Sequence, residues 1–206
     1  MGTLVCWSGG CDSTLALHDV ARAEGNTARA VSVVDSRIAR NDEAKAARAK
    51  LLRRFKRVGI AIKHTVVEVS QAGDFNIETP GGLYQPTMWL SAAILFLGAN
   101  DDLCFGYIKS DDFWHHRAAF EEAFRCCQLM RYGAGQLRFP LEWDSKAEVI
   151  QRLQDLKLYS ACWWCEAYQT GRPCRWCSPC MTHRKALWEI EQNAKRPKPT
   201  LGEVVG

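Results

Sequence analysis

Two short runs in this 206-residue chain have the residue types and spacing of chemistry. The first is Ser8-Gly9-Gly10-Cys11-Asp12-Ser13-Thr14, set between an apolar, strand-like run and a segment of helical period. Two glycines let a backbone approach a ligand closely, and the free N–H groups and dipole of a helix start favour an anion there. The hydroxyls of Ser8, Ser13 and Thr14 add hydrogen-bonding capacity, whereas Asp12 can face phosphates only through a cation such as Mg2+. The run therefore predicts a site for a metal-complexed pyrophosphate. It lacks the lysine of a Walker A sequence and the three-glycine spacing of a dinucleotide fingerprint. The competing reading is a plain Ser/Gly/Asp turn joining strand to helix. Cys11 reads as a small side chain beside the loop, with a catalytic thiol as the alternative. Lys146 stands in the first turn of a later helix, where its cation would neutralise phosphate charge; an exposed lysine is the alternative.

The second run is cysteine-rich. Cys165, Cys174, Cys177 and Cys180 follow a C-x8-C-x2-C-x2-C spacing that lets four thiolates meet in a tetrahedron around one Zn2+. A closed thiolate set leaves no open coordination position, so the ion is expected to be structural. Apparent binding free energies of about 10–16 kcal/mol at such sites would hold the lobe folded. Cys162 is the alternative first ligand. Of the ten cysteines, five crowd between Cys162 and Cys180, and with no export signal recognisable this favours metal binding over disulfides. Trp163, Trp164 and Trp176 read as the small core of that lobe or as a protein contact.

These runs must be positioned by regular elements. Apolar and β-branched stretches at Thr3 to Trp7, Ala28 to Val34, Ile60 to Val69 and Leu103 to Tyr107 alternate with segments of helical period, the pattern of a parallel sheet sandwiched by helices. Helices are expected over Ser13 to Glu24, Asp42 to Gly59, Thr87 to Leu97 and His116 to Arg131. A fifth is opened by Ser145 and Glu148 at capping-box spacing. In the second helix Ala44, Ala47, Leu51, Phe55 and Val58 form an apolar stripe. Lys45, Arg48, Lys50, Arg53, Arg54, Lys56 and Arg57 are left on a basic outer face, read as solvated, with RNA or another anionic partner as the alternative. Residues 1–159 are expected to form the α/β domain and 160–194 the metal lobe, closed by a short helix from His183 to Asn193. A tail would follow over 195–206.

The Ser8-Gly9-Gly10-x-Asp12-Ser13 motif resembles that of the PP-loop ATP pyrophosphatases, also called adenine nucleotide alpha hydrolase-like proteins. In that family the motif holds the pyrophosphate portion of ATP while the α-phosphorus is attacked. With the cysteine spacing at its other end, the chain is similar over nearly its whole length to the 7-cyano-7-deazaguanine synthase family. Asp35 with Glu43, Gly106 with Asp112, and the stretch from Asp144 to Glu148 match further points of that pattern. Three segments differ from it: Ser36-Arg37-Ile38, the region of Tyr84-Gln85, and the region around Trp114. The resemblance implies ATP-dependent adenylation of the carboxylate of 7-carboxy-7-deazaguanine, amide formation with ammonia, and dehydration of the amide to the nitrile after a second activation. It places Asp12 and Lys146 at the chemistry, and Asp112, His115 and His116 at the base. The alternatives are a PP-loop tRNA thiolase, an enzyme of the same kind with another acceptor, and a zinc-stabilised binding module without catalysis.

Composition sets wider bounds. With 47% hydrophobic and 24% charged residues the chain has the make-up of one globular domain, and a net charge of +4 fits a phosphate-bearing ligand, a nucleic acid or simple solubility. The longest apolar run, Met88 to Ala99, is too short to cross a bilayer and reads as a buried helix. A cytoplasmic protein without membrane contact is expected. Nucleic acid is a lesser candidate partner, and the oligomeric state is open, a homodimer included.

Overall fold

The computed structural model describes residues 2–35, 41–69, 85–166 and 172–195; the side chains of Asp35, Asn41 and Gln85 fall outside that description. The apolar runs become strands β1 (Thr3–Cys6), β2 (Thr27–Asp35), β3 (Ala61–Val69) and β4 (Asp102–Cys104), joined by a two-residue strand β5 (Leu137–Arg138). All pair in parallel, in the order β3-β2-β1-β4-β5. Parallel neighbours need crossover connections, supplied by helices α1 (Cys11–Ala23), α2 (Asn41–Arg57), α3 (Gln85–Ile94) and α4 (Arg117–Met130). Helices α5 (Lys146–Asp155) and α6 (Ser178–Lys195) follow the sheet.

Both faces of the sheet are covered, which is why β1 is buried at every position instead of alternating. On one face Val5 and Trp7 pack with Leu15 of α1, Leu51 and Phe55 of α2, and Val149 and Leu153 of α5. On the other, Leu4 and Cys6 pack with Leu90 and Ala93 of α3 and Phe120 and Phe124 of α4. The expected α/β fold, a parallel sheet sandwiched by helices, is therefore the fold observed. No described helix is long and apolar enough to cross a membrane.

Element ends differ from the sequence reading in ways that matter for the site. Helix α1 starts at Cys11, not Ser13, because Gly10 is its N-cap. Helix α2 stops at Arg57, so Val58, expected on the apolar stripe, is 50% exposed. Arg48, expected on the solvated basic face, is only 6% exposed. It stands four residues after Ala44 and three before Leu51, which puts it on the inward seam of the helix. Helix α6 begins among the cysteines, where Cys177 O accepts from Met181 N at 3.0 Å, well before His183. Of the segments singled out in the sequence, Ser36-Arg37-Ile38, Tyr84 and the tail beyond Lys195 lie outside the described residues.

The chain steps outward from β1 through β2 to β3 and then returns to build β4 and β5 on the other side. The order thus reverses between β1 and β4, and in open α/β sheets the crevice beyond the strand ends at such a point receives ligands. Two loops border it, Trp7 to Gly10 after β1 and Phe105 to Asp111 after β4. The second rests on the first turn of α1: a Cβ on Gly106 would lie 2.7 Å from the backbone of Asp12 and of Ser13. Gly106→Ala must therefore push the loop after β4 away from the start of α1. A loss of about 1–3 kcal/mol is expected from such overpacking, read as a lower thermal midpoint than wild type. An unchanged midpoint would contradict this packing.

Candidate functional site

The first part of the site is the loop between β1 and α1. Gly9 has φ +89°, a conformation that side chains rarely adopt. Every carbonyl from Trp7 to Gly10 accepts a hydrogen bond from outside the loop's mouth. Trp7 O accepts from Ser32 Oγ. Ser8 O accepts from Arg48 Nη1 at 3.0 Å, Gly9 O from Trp163 N at 3.0 Å, and Gly10 O from Thr14 N at 3.0 Å. Acceptors that would repel an anion are thereby tied back. Gly10 gives α1 no side-chain cap, so the first N–H groups of that helix remain for a ligand. The Ser8 and Ser13 hydroxyls lie 3.0 Å apart, and Ser8 Oγ also accepts from Gly10 N at 3.1 Å.

The residues of this run divide between ligand side and core. Ser8 is exposed and Asp12 and Ser13 are half-buried. Thr14, expected at the phosphates, is instead fully buried, its hydroxyl accepting from Trp7 Nε1 at 3.0 Å. Cys11 is buried against Cys162, and burial, reinforced by that neighbour, pushes its thiol well above the ordinary range. An inert thiol of this kind matches the reading of Cys11 as a small side chain.

Lys146 reaches the loop from across the crevice. Its place at the start of α5 is fixed by the capping box, with Glu148 N donating to Ser145 Oγ at 3.2 Å and Ser145 N to Glu148 Oε2 at 2.7 Å. Arg152 ties α5 to α1 by bonds to Asp144 at 2.8 Å and Asp19 at 2.6 Å. So held, Lys146 Nζ lies 2.5 Å from Asp12 Oδ2. Burial works to lower the lysine's pKa, but the charge and hydrogen bond of Asp12 outweigh it, and the net shift is upward. The ammonium stays charged. Asp12 Oδ1 is buried and has no hydrogen-bond partner among the described residues, the position of an acceptor waiting for a cation.

Asp111, which the sequence reading passed over, is the third charged group here. Its Oδ2 accepts from Ile108 N at 2.8 Å, closing the turn after β4. Burial raises its pKa to about 6, with the Asp12 charge adding to the rise and the Ile108 N–H and Lys146 opposing it. Asp112, His115 and His116, expected at a base, are all exposed on the 3-10 turn Asp112–His116. Trp114 is anchored there by its indole N–H, which donates to Ile108 O at 2.6 Å, and Arg117 covers its ring at 5.2 Å. A one-residue offset in an Asp-Asp pair carries no periodicity signal, which is why Asp111 was missed.

The second part of the site is the sulfur cluster. Cys165, Cys174, Cys177 and Cys180 bring their Sγ atoms within 4.8 Å of one another. The Cys165–Cys177 and Cys174–Cys180 sulfurs are 4.0 and 3.9 Å apart. Four thiolates about 2.3 Å from a single tetrahedral ion would stand about 3.8 Å apart, so the donor set fits one ion. Cys174 N donates to Cys165 Sγ and Cys177 N to Cys174 Sγ, both at 3.3 Å, orienting the sulfurs. Desolvation, which raises a thiol's pKa, is outweighed at Cys174 by N–H donors from Cys177 and Trp176, bringing it down to about 7, whereas burial pushes Cys180 up to about 12. Cys162 stays out of the cluster, its Sγ lying 3.7 Å from Leu158 O.

The lobe is wired to the loop. Besides its backbone bond to Gly9, Trp163 donates its indole N–H to Cys165 O at 3.0 Å. Trp164 stacks on His183 with centroids 4.3 Å apart, and His183 is 2% exposed. Burial and then the charge of Lys146 bring that histidine down to about 3, so it is neutral. Trp176, read as lobe core or as a protein contact, is 64% exposed and so lies outside the core.

No known family model matches the chain, and no curated protein matches it in sequence. Among solved structures it is similar to the U34-tRNA thiolase NcsA from Methanococcus maripaludis with its 4Fe-4S cluster, at 12% identity and a TM-score of 0.55. That match covers 100% of this chain and 76% of the other, and at such identity it shows a shared fold.

Two outcomes are expected. Metal analysis should find one ion per chain, lost in Cys165→Ser and kept in Cys162→Ser; the reverse pattern would contradict the cluster. The second outcome concerns Asp111, whose pKa rises on folding from 3.8 to about 6. A raised folded pKa gives stability that is present below about 3.8 and lost as pH rises through about 6. Asp111→Asn should thus be more stable than wild type at pH ~8 by on the order of 2–3 kcal/mol, the gap closing toward pH ~4 in urea unfolding. A gap independent of pH would contradict the burial argument.

Proposed function

We propose that this chain is an ATP-consuming enzyme that transfers AMP to an acceptor oxygen and releases pyrophosphate. The Asp12–Lys146 pair, clamped across the loop at the point where the sheet order reverses, carries the reading. The α1 N-terminus and the Gly9 N–H group would hold the β- and γ-phosphates, with Ser8 and Ser13 adding hydroxyl bonds. Lys146 would shift from Asp12 toward the charge that builds on the departing pyrophosphate. Asp12 Oδ1, buried and unpartnered, suits Mg2+, which supplies neutralisation of the polyphosphate charge. Asp111 stands beside this pair.

The acceptor we favour is a planar heterocyclic carboxylate, 7-carboxy-7-deazaguanine, supported by the resemblance of the loop, the cysteine spacing and Gly106. A carboxylate oxygen would attack the α-phosphorus as pyrophosphate leaves, and ammonia would displace AMP to give the amide. A second ATP would adenylate the amide oxygen, and loss of AMP and a proton would leave the nitrile. The metal fits zinc in a structural role. The close sulfurs support a single ion over a 4Fe-4S cluster, in which each thiolate binds a different iron at its own corner. That compactness weighs against the thiolase alternative, although the groove of about 560 Å³ lined by Arg54, Arg57 and Lys157 gives an RNA acceptor somewhere to lie.

Incubation with ATP, Mg2+, ammonium and the heterocyclic acid should yield AMP, pyrophosphate and a mass change in the acid. Lys146→Ala should lower kcat by about 10²–10³-fold, the scale of removing one preorganised transition-state contact. ADP as the main product would refute adenylation. AMP formed only when RNA replaces the acid would move the acceptor to RNA.

A further inference from the structure

We infer that Arg48 is a positioning residue of the phosphate loop, holding the Ser8–Gly9 peptide with its N–H turned toward the phosphates. The inference rests on the adenylation reading and adds a residue from outside the motif. In a trans peptide the C=O and N–H point in opposite directions, so a donor that fixes one aims the other. Arg48 Nη1 donates to Ser8 O at 3.0 Å. The arginine stem runs along the turn so closely that a Cβ on Gly9 would lie 2.9 Å from Arg48 Cγ. The second glycine peptide is fixed from the opposite side by Trp163 N, so the loop tip is held between α2 and the metal lobe.

The burial of Arg48 points the same way. It occupies the inward seam of α2, where an apolar side chain would pack without the cost of desolvating a cation. Burial lowers its pKa, yet it remains a guanidinium. Its neighbour His64 adds no competing charge: burial and then the charge of Arg48 bring that imidazole down to about 4. His64 Nε2 lies 2.8 Å from Ser32 Oγ, and Ser32 holds Trp7 O. Arg48 is thus one of a row of donors that turn successive carbonyls away from the anion site. It is the one that brings a positive charge to the loop from behind.

The test uses the full-length, metal-loaded protein and two variants, Arg48→Met, which keeps the stem, and Arg48→Lys, which keeps a charged donor. Titration calorimetry with inorganic pyrophosphate and Mg2+ should show Arg48→Met weakened by about ten- to a hundredfold, the reach of one charged hydrogen bond, with Arg48→Lys recovering most of the loss. Steady-state assays should show a matching rise in KM for ATP with kcat little changed, as lost ground-state binding requires. Wild-type affinity in Arg48→Met would overturn the inference. Equal weakening in both variants would overturn it too, since packing alone would then explain the residue. Wild-type protein that binds no pyrophosphate would refute the adenylation reading itself and the inference with it.

Discussion

The Lys146 ammonium lies against the Asp12 carboxylate at the meeting point of two helix starts, and much of the surrounding structure answers the electrostatic problem this creates. A helix N-terminus carries partial positive charge, and α1 and α5 both aim theirs at the crevice. A buried cation added to two such poles would be costly alone. Asp12 balances it, and Asp111, whose pKa burial and the Asp12 charge raise to about 6, stands beside the pair. On the proposed function the balance is provisional: a polyphosphate would satisfy both helix poles and the lysine better than one carboxylate does. Withdrawing Lys146 from Asp12 frees that carboxylate for a divalent cation, so the ion pair resembles a held position that the ligand completes.

Rigidity comes from outside the loop. Gly106 lets the turn after β4 rest on the backbone of Asp12 and Ser13, and Arg152 bridges α1 and α5 through Asp19 and Asp144. The metal lobe contributes through Trp163, which touches both Gly9 and Cys165. A metal ion at the cysteines would then do more than fold its own lobe. It would fix the strand of chain that holds Gly9 O, making the loop after β1 dependent on the cluster.

Legibility in the sequence followed the range of the interactions involved. The loop, the strand runs and the capping box at Ser145 are local patterns, and each appeared where the residues placed it. The close set of Cys165, Cys174, Cys177 and Cys180 is nearly local, and spacing sufficed to group them. What escaped were residues whose role depends on a distant partner. Arg48 looks like one basic residue among seven until the α2 seam is set against Ser8. Asp111 and Asp112 cannot be told apart without the turn at Ile108, and Thr14 looks like a phosphate ligand until Trp7 claims its hydroxyl. Strand β5, with two residues, is too short to show any period.

The central claim is that the loop holds pyrophosphate while the α-phosphorus changes partners, and reversal of that step tests it most directly. Radiolabelled pyrophosphate should exchange into ATP when the protein is supplied with Mg2+ and the heterocyclic carboxylate, with no ammonia present to draw the adenylate forward. The exchange should require the acid and disappear in Lys146→Ala. Absence of exchange in metal-replete protein that binds both ATP and the acid, with phosphate and ADP accumulating instead, would contradict the account.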